Sequence, residues 1–175
     1  MKHAFARVFA RRTASALALL ASLPACLPAH AADVVRHKLP GSDFPIALAV
    51  EVPAGKKVVY LSGAGPNVID KSAKPNTVAA FGDTRQQSAS TLESIAATLT
   101  GLKLEMKDVV KMTVFLVGDP AKEGNIDFAG FMDAYKVYFG GPEHPNLPAR
   151  STVKVAGLVN PGWLVEIEVI AVAPK

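Results

Sequence analysis

Apolar residues first occur in short runs of the kind that is typical of strands. Residues 46–52 form one apolar run, residues 53–56 carry the proline and glycine of a turn, and residues 57–62 form a second run. This order predicts a β-hairpin. Residues 63–77 follow and are rich in Gly, Pro, Asn and Lys, so they predict a long loop, which in a compact domain is often functional or mobile.

The period then changes to that of a helix. From Thr84 onward, residues suited to a core recur three or four positions apart, with Asp83 or Thr84 as a cap and Gly101 as a stop. This spacing predicts a helix that ends at Gly101. Residues 126–139 return to helical spacing and end at a Gly-Gly-Pro sequence, which predicts a second helix.

Three further strands complete the predicted fold. Residues 108–117 form a β-branched, largely apolar run, and residues 150–156 and 163–172 close the chain as a pair of strands. The predicted order is therefore β-β-α-β-α-β-β. Strands with interleaved helices predict an α+β fold, a two-layer sandwich in which the helices cover one face of a mixed sheet.

The last predicted strand is apolar on both sides. Side chains alternate along a strand, so one side carries Val165, Ile167 and Val169, and the other carries Leu164, Glu166, Glu168, Ile170 and Val172. The helices of a two-layer sandwich cover only one face of the sheet, which leaves the second face to a partner surface. The pattern therefore predicts an oligomer.

The first 31 residues differ in composition from the rest. Residues 1–12 carry four cations and no acid, residues 14–23 are apolar but too few to span a bilayer, and an Ala-His-Ala sequence ends the segment. This order predicts a secretory signal peptide over residues 1–31, a single domain over residues 32–175, and a periplasmic or secreted protein. An amphipathic N-terminal helix is the alternative, but the apolar run has no polar side.

Two other export signals match less well. Residues 23–26 loosely resemble a lipobox, which would leave a lipid anchor on Cys26, although the proline at position 24 fits that motif poorly. The arginine pair at positions 11–12 is similar to that of a twin-arginine signal but lacks the hydrophobic residues expected after it. Either signal would still imply export, and no membrane span is expected.

Cysteine, histidine and charge exclude several kinds of function. Cys26 is the only cysteine, so a chain cleaved after the leader has no thiol, and His37 and His144 are too few for a metal site. We therefore expect no metal and no cofactor. The four cations of residues 1–12 account for the whole formal charge of +4, so residues 32–175 have no net charge and no nucleic-acid partner is expected.

Five segments resemble the RidA (YjgF/UK114) superfamily in order and spacing. They are VYLSG at 59–63, DVVKMTVFL at 108–116, DFA at 127–129, PARSTVKVAGL at 148–158 and VEIEVIAV at 165–172. With the residues between them, the resemblance extends over residues 44–173. Each segment alone is short, and their common order makes the resemblance specific.

This resemblance implies both an assembly and an activity. The fold would be similar to that of bacterial chorismate mutase, assembled as a homotrimer with three clefts between subunits. The reaction would be the hydrolysis of reactive 2-imino acids, the imines and enamines of small amino acids, to 2-keto acids and ammonia. The implied partner is a small carboxylate.

The resemblance places two residues at the centre of that chemistry. Arg150 stands where the family carries the arginine that holds the substrate carboxylate, whose geometry matches a guanidinium fork. Glu166 stands where the family carries the glutamate that orients or activates water. The alternatives are a surface ion pair for Arg150 and, for Glu166, a salt bridge to Lys154 across a hairpin. Glu168 shares the side of Glu166 and could compete for its role.

The polar surroundings differ from the family pattern. Phe44 stands where the family has a tyrosine, Met132 where it has an asparagine and Thr152 where it has a cysteine, while Ser62 remains as a hydroxyl of the site wall. With Arg150, these are the expected substrate-binding residues. Because lost hydrogen-bonding groups shift specificity or activity, a trimer that binds a small carboxylate without turnover is the alternative function. Ribonuclease activity, a name given to some members, is disfavoured by the absence of net positive charge.

Overall fold

The computed structural model describes residues 33–174. The predicted signal peptide over residues 1–31 and the lipid-anchor alternative at Cys26 lie outside the described residues and stay predictions. Within the described part, the α+β two-layer fold is confirmed, because helices cover one face of a single six-stranded sheet. None of the helices within residues 33–174 is long and apolar enough to cross a bilayer.

Six strands and three helices make up the described chain. The strands are β1 (Val35–Lys38), β2 (Ala47–Glu51), β3 (Val58–Tyr60), β4 (Val109–Val117), β5 (Ala149–Val155) and β6 (Val165–Val172). The helices are α1 (Val78–Phe81), α2 (Thr84–Gly101) and α3 (Phe128–Tyr135), with single 3-10 turns at Met106–Asp108 and Pro120–Lys122. The structure thus adds β1 and the one-turn α1 to the predicted order. β1 is mostly exposed and has no apolar alternation, so its sequence does not predict a strand.

The order across the sheet is β1-β2-β5-β4-β6-β3. β4 lies between β5, to which it is parallel, and β6, to which it is antiparallel. The predicted hairpin between residues 46–52 and 57–62 is wrong, because β2 pairs with β1 and β5 whereas β3 pairs with β6 at the far edge. The predicted pairing of the last two strands is also wrong, because β4 separates them. Turn residues determine where a chain reverses but not which strand it joins afterwards.

The predicted long helix is confirmed, and its start is fixed by a capping box. The Asp83 carboxylate accepts from the N–H of Gln86 (2.8 Å), and the Gln86 side chain accepts from the N–H of Asp83 (3.0 Å). The second helix is shorter than predicted. It covers Phe128–Tyr135 rather than residues 126–139. After it, the N–H groups of Val137 and Tyr138 donate to carbonyl oxygens three residues earlier, which forms turns in place of further α-helix.

The core lies between the helices and one face of the sheet. Alternate residues of β4 and β6 are fully buried there, and α2 and α3 pack against them: Met112, Val114, Leu116, Val165, Ile167, Val169, Leu92, Ile95, Leu99, Phe131 and Tyr135. Burying one such side chain contributes about 1.5–3 kcal/mol. The side of β6 that carries Val165, Ile167 and Val169 is therefore the one that faces the helices.

The opposite face of the sheet is uncovered in the single chain. The intervening residues of β4, among them Phe115, are only partly buried, and Val153 of β5 is 42% exposed. Glu166 and Glu168 of β6 lie on this open face, opposite Phe115 and Thr113. Large apolar side chains on an uncovered face favour an oligomer, which stays a prediction.

The predicted loop over residues 63–77 is irregular and is attached at several points. Ala64 and Ile167 exchange two backbone hydrogen bonds of 2.9 and 3.0 Å, which ties the start of the loop to β6. Asn67 donates to the hydroxyl of Ser94 on α2 (3.0 Å). The loop is therefore held between the sheet and the long helix, next to the strand that carries Glu166.

Candidate active site

The guanidinium of Arg150 is surrounded by aromatic rings. Arg150 lies opposite Met112 of β4, so its side chain is on the face of the sheet that the helices cover. Its Cζ atom is 4.2 Å from the ring centroid of Tyr135, 5.1 Å from that of Phe131, 5.4 Å from that of Phe44 and 5.9 Å from that of Phe128. Aromatic ring faces attract a cation, and they also keep water away from it.

This cation has no acidic partner among residues 33–174. Arg150 forms no salt bridge there, and its Nη1 atom is buried without a hydrogen-bond partner. Burial lowers the pKa of the Arg150 guanidinium, and the neighbouring Tyr135 opposes that change. The alternative of a surface ion pair therefore does not fit. A buried donor without a partner costs free energy, which an anionic ligand would recover.

Thr152 and Phe44 flank the arginine. Thr152 follows two residues later on the same side of β5, and its Oγ1 atom is also buried without a partner. Phe44 stacks on Phe128 with centroids 6.4 Å apart, and the hydroxyl of Tyr135 donates to the carbonyl oxygen of Pro45 (2.8 Å). That bond fixes the loop that holds Phe44 over the guanidinium.

A cavity of about 530 Å³ opens beside this group, within the size range of small-molecule sites. Its lining comprises Asp43, Phe44, Pro45, Met132, Lys136, Gly140 and Gly141. Gly140 has a φ of 93°, and a β-carbon there would lie 2.5 Å from that of Pro45, so only glycine allows this close approach. The structure thus brings the predicted residues Phe44 and Met132 to one cavity. Phe44 lines this cavity and also contacts the guanidinium of Arg150.

Glu166 belongs to a second group of residues. Its carboxylate lies against the backbone of Gly63, where a β-carbon would be 3.0 Å from the Glu166 Cδ atom. Ser62 is the exposed neighbour of that glycine. A groove of about 370 Å³ on the open face is lined by Glu166, Glu168, Phe115, Val155, Gly157, Leu158 and Val159. Ser62 therefore directly precedes the residue that the Glu166 carboxylate contacts.

Arg150 and Glu166 do not meet within one chain. Arg150 is paired with Met112 and Glu166 with Phe115, and these two positions of β4 point to opposite faces of the sheet. Lys154 lies on the Arg150 side, where its Nζ atom donates to the carbonyl oxygen of Gly124 (2.7 Å). The alternative salt bridge between Lys154 and Glu166 is therefore wrong.

Sequence reasoning missed the aromatic residues of α3. Phe128, Phe131 and Tyr135 recur at helical spacing, and this spacing predicts the second helix but no contact with Arg150. Their common contact with a cation depends on where β5 joins the sheet. A single basic residue facing an aromatic helix was the available signal.

No cluster of three metal-ligating side chains occurs within residues 33–174. His37 bonds to Glu51 (2.8 Å) across the β1–β2 pair, and His144 is exposed.

Comparison with known families identifies the chain. The family model described as Endoribonuclease L-PSP matches residues 47–173. A RutC family protein from Haemophilus influenzae is 36% identical over 136 residues, which cover 78% of this chain and 92% of that protein. The chain belongs to this family, and with it to the RidA (YjgF/UK114) superfamily that its sequence segments resemble.

One relative has a named activity, and a second shows the fold. The Escherichia coli protein named "Putative reactive intermediate deaminase TdcF" is 33% identical over 137 residues, covering 78% of this chain and 92% of that protein. A crystal structure of E. coli TdcF with bound serine matches with a TM-score of 0.50 and 32% identity, covering 74% of this chain and 92% of that one. The Rid-family protein YyfB from Yersinia pestis has a TM-score of 0.60 at 20% identity, over 80% of this chain and 98% of that one, and shows the fold alone.

Proposed function

We propose that the chain is an exported imine deaminase, which hydrolyses 2-imino acids to 2-keto acids and ammonia. The observation that carries the proposal is the buried Arg150, with an unpartnered Nη1 atom and no acid among residues 33–174 to neutralise it. A planar guanidinium binds a carboxylate through two parallel hydrogen bonds, so a 2-imino carboxylate is a fitting ligand. The relative named for reactive intermediate deamination supports the same reaction class.

The site proposed here is completed between subunits of a homotrimer. Arg150 and Glu166 face opposite sides of the sheet, so one chain cannot present both to one substrate. Phe115 and Val153 leave the open face apolar and partly exposed. Covering that face with the Arg150 side of a second copy would bury these residues and bring Glu166 to the carboxylate.

In the proposed reaction each residue has one task. Arg150 holds the carboxylate, and Thr152 offers the neighbouring hydroxyl. Glu166 orients a water molecule whose oxygen bonds to the imine carbon while one water proton passes to the glutamate. The glutamate passes that proton to the imine nitrogen, which gives an amino alcohol. The hydroxyl proton of this intermediate then moves through the glutamate to the nitrogen, the carbon–nitrogen bond breaks, ammonia leaves, and the carbon–oxygen double bond of the 2-keto acid forms.

Export is the second part of the proposal. Residues 1–31 have the basic, apolar and small-residue order of a signal peptide. The protein would then act in the periplasm or outside the cell, on imines formed or released there. N-terminal sequencing of protein secreted by cells tests this part, since a mature chain that begins at residue 32 supports it and a lipidated Cys26 selects the anchor alternative.

The activity test generates 2-iminopropanoate from alanine with an amino-acid oxidase in the presence of semicarbazide. The wild-type protein should divert the imine to pyruvate before the semicarbazide traps it. Arg150→Ala should not divert the imine. Arg85→Ala should match the wild type, because Arg85 is an exposed arginine whose only salt bridge among the described residues is a long one of 4.0 Å to Asp133. Equal trapping with wild type and Arg150→Ala contradicts the deaminase proposal.

A carboxylate-binding protein without turnover is the second candidate. It is favoured by the apolar side chains of Phe44 and Met132 in the cavity lining, which stand where the family has a tyrosine and an asparagine that could bond to a reacting nitrogen. In that case pyruvate raises the melting temperature through binding to the folded state, while no imine is consumed. If the protein binds RNA and this binding weakens steeply with salt, the result would instead favour the ribonuclease alternative.

A further inference from the structure

A buried glutamine joins helix α2 to the start of β6. The side chain of Gln87 is fully buried, and both of its donors and its oxygen are used. Nε2 donates to the carbonyl oxygens of Gly82 (2.9 Å) and Gly162 (3.0 Å), and Oε1 accepts from the N–H of Leu164 (2.7 Å). A buried amide needs such partners to offset its desolvation. All three partners are backbone atoms, so the amide fixes the course of the chain.

The segment that Gln87 holds leads directly into the strand that carries Glu166. The carbonyl oxygen of Leu164 accepts from the N–H of Val117 (2.9 Å), which is where the chain begins to pair with β4. Glu166 follows two residues later. A slip of one residue in a strand moves every side chain to the other face, so the contact at Leu164, together with the pairing of β6 to β4, holds Glu166 on the open face.

The same segment supports the backbone beneath the Glu166 carboxylate. The ring of Trp163 lies against Gly65, where a β-carbon would be 2.5 Å from the ring. Next to that glycine, Ala64 exchanges its two backbone hydrogen bonds with Ile167 of β6. The amide of Gln87 therefore holds one end of a unit in which the strand and the glycine-rich segment meet at Glu166.

We propose that Gln87 is a positioning residue for imine hydrolysis: it sets where the Glu166 carboxylate lies relative to Gly63, and hence where the attacking water is held. The inference rests on the proposed role of Glu166. Gln87 reaches no reacting atom, because its effect passes through the backbone of Gly162 and Leu164. Displacing a water-activating carboxylate slows the chemical step, whereas carboxylate capture at Arg150 depends on other elements.

Kinetics of Gln87→Met test this role. Methionine has a similar length but no group that can replace the three hydrogen bonds. We expect kcat per folded protein to fall by roughly 10- to 100-fold, with KM within about twofold of wild type and an altered pH profile of kcat. Gln87→Glu keeps an oxygen for the N–H of Leu164 and should recover part of kcat. Thr91→Val is the matched control, because Thr91 is equally buried but donates only to the carbonyl oxygen of Gln87 within the helix (2.8 Å).

A second measurement does not need activity. In protein labelled with carbon-13 at the glutamate carboxyl carbon, the Glu166 resonance is identified by its loss in Glu166→Gln. It should shift in Gln87→Met and stay in place in Thr91→Val. An unmoved resonance in Gln87→Met, or a kcat per folded protein equal to that of Thr91→Val, overturns the positioning role. A shifted resonance in a protein whose wild type has no activity refutes the deaminase function and leaves the placement of Glu166 by Gln87 standing.

Discussion

The hydroxyl of Tyr135 donates a hydrogen bond of 2.8 Å to the carbonyl oxygen of Pro45, while the ring of the same tyrosine lies 4.2 Å from the Arg150 guanidinium. One side chain of α3 thus contacts the cation and also anchors the loop that carries Phe44. The position of Phe44 over Arg150 therefore depends on the hydroxyl of the same tyrosine whose ring contacts the guanidinium.

Tyr135→Phe should weaken both stability and ligand binding. Removing the hydroxyl leaves the Pro45 carbonyl without its donor, so the free energy of unfolding should fall by about 1–2 kcal/mol. The loop with Phe44 then closes less firmly, and KM should rise more than kcat falls. Denaturant unfolding and steady-state kinetics check this, with Tyr138→Phe as the partly exposed control. Equal effects of the two substitutions would contradict the anchoring role.

The same tyrosine predicts a pH effect. Burial raises the pKa of Tyr135 to about 12, against the opposing influence of Arg150. The pKa of Tyr135 in the folded state lies above the ordinary value of 10.0, so the protonated phenol favours folding. This contribution to the free energy of unfolding is complete below pH 10.0 and is lost as the pH rises towards about 12. Burial also raises the pKa of Tyr138, so absorbance of phenolate should show two tyrosines that titrate late, and Tyr135→Phe should remove the step near pH 12. An unchanged titration curve in that variant would rule out the assignment.

Arg150→Met should separate binding from stability. The substitution removes cation–π contacts with four rings, but it also removes a buried Nη1 that has no partner, so we expect a stability change of at most about 1–2 kcal/mol. Binding of pyruvate, followed by calorimetry or by the rise in melting temperature, should be lost. Arg85→Met should retain binding, since Arg85 lies away from the cavity lining. Retained pyruvate binding in Arg150→Met would place the carboxylate elsewhere.

Gly63→Ala should lower activity through Glu166. A β-carbon at this position would meet the carboxylate, yet the backbone of Gly63 is not in the left-handed region, so the fold tolerates alanine. We expect kcat to fall roughly tenfold or more, with a stability change within about 1 kcal/mol. Gly101→Ala is the control, because nothing lies within 4 Å of its added β-carbon. A wild-type kcat in Gly63→Ala would show that the carboxylate works from another position.

Mixed trimers test whether the two groups of residues meet between subunits. Arg150→Ala and Glu166→Gln should each be inactive alone. When the two variants are co-expressed with different tags, about a quarter of the clefts in randomly mixed trimers should combine an intact arginine with an intact glutamate. Activity should therefore reappear in hybrids purified through both tags. Hybrids as inactive as their parents would refute a cleft shared by neighbouring subunits.

The sequence alone determined the elements whose causes are local. The cap at Asp83, one of the two residues predicted for it, the stop at Gly101 and the alternation along β6 each depend on residues a few positions apart, and the structure has them as predicted. The family resemblance also predicts roles for Arg150 and Glu166, because their sequence context is specific. These features need no knowledge of which strands pair.

Only the tertiary structure decided how those elements combine. The insertion of β4 between β5 and β6 places Arg150 and Glu166 on opposite faces, and no pattern within either strand reveals it. The aromatic rings around Arg150 belong to residues that lie about 15 to 106 positions from it in the sequence. Gln87 and Leu164, which share a hydrogen bond, are 77 positions apart. Strand pairing and such contacts depend on long-range packing free energy, which the local spacing of residues does not encode.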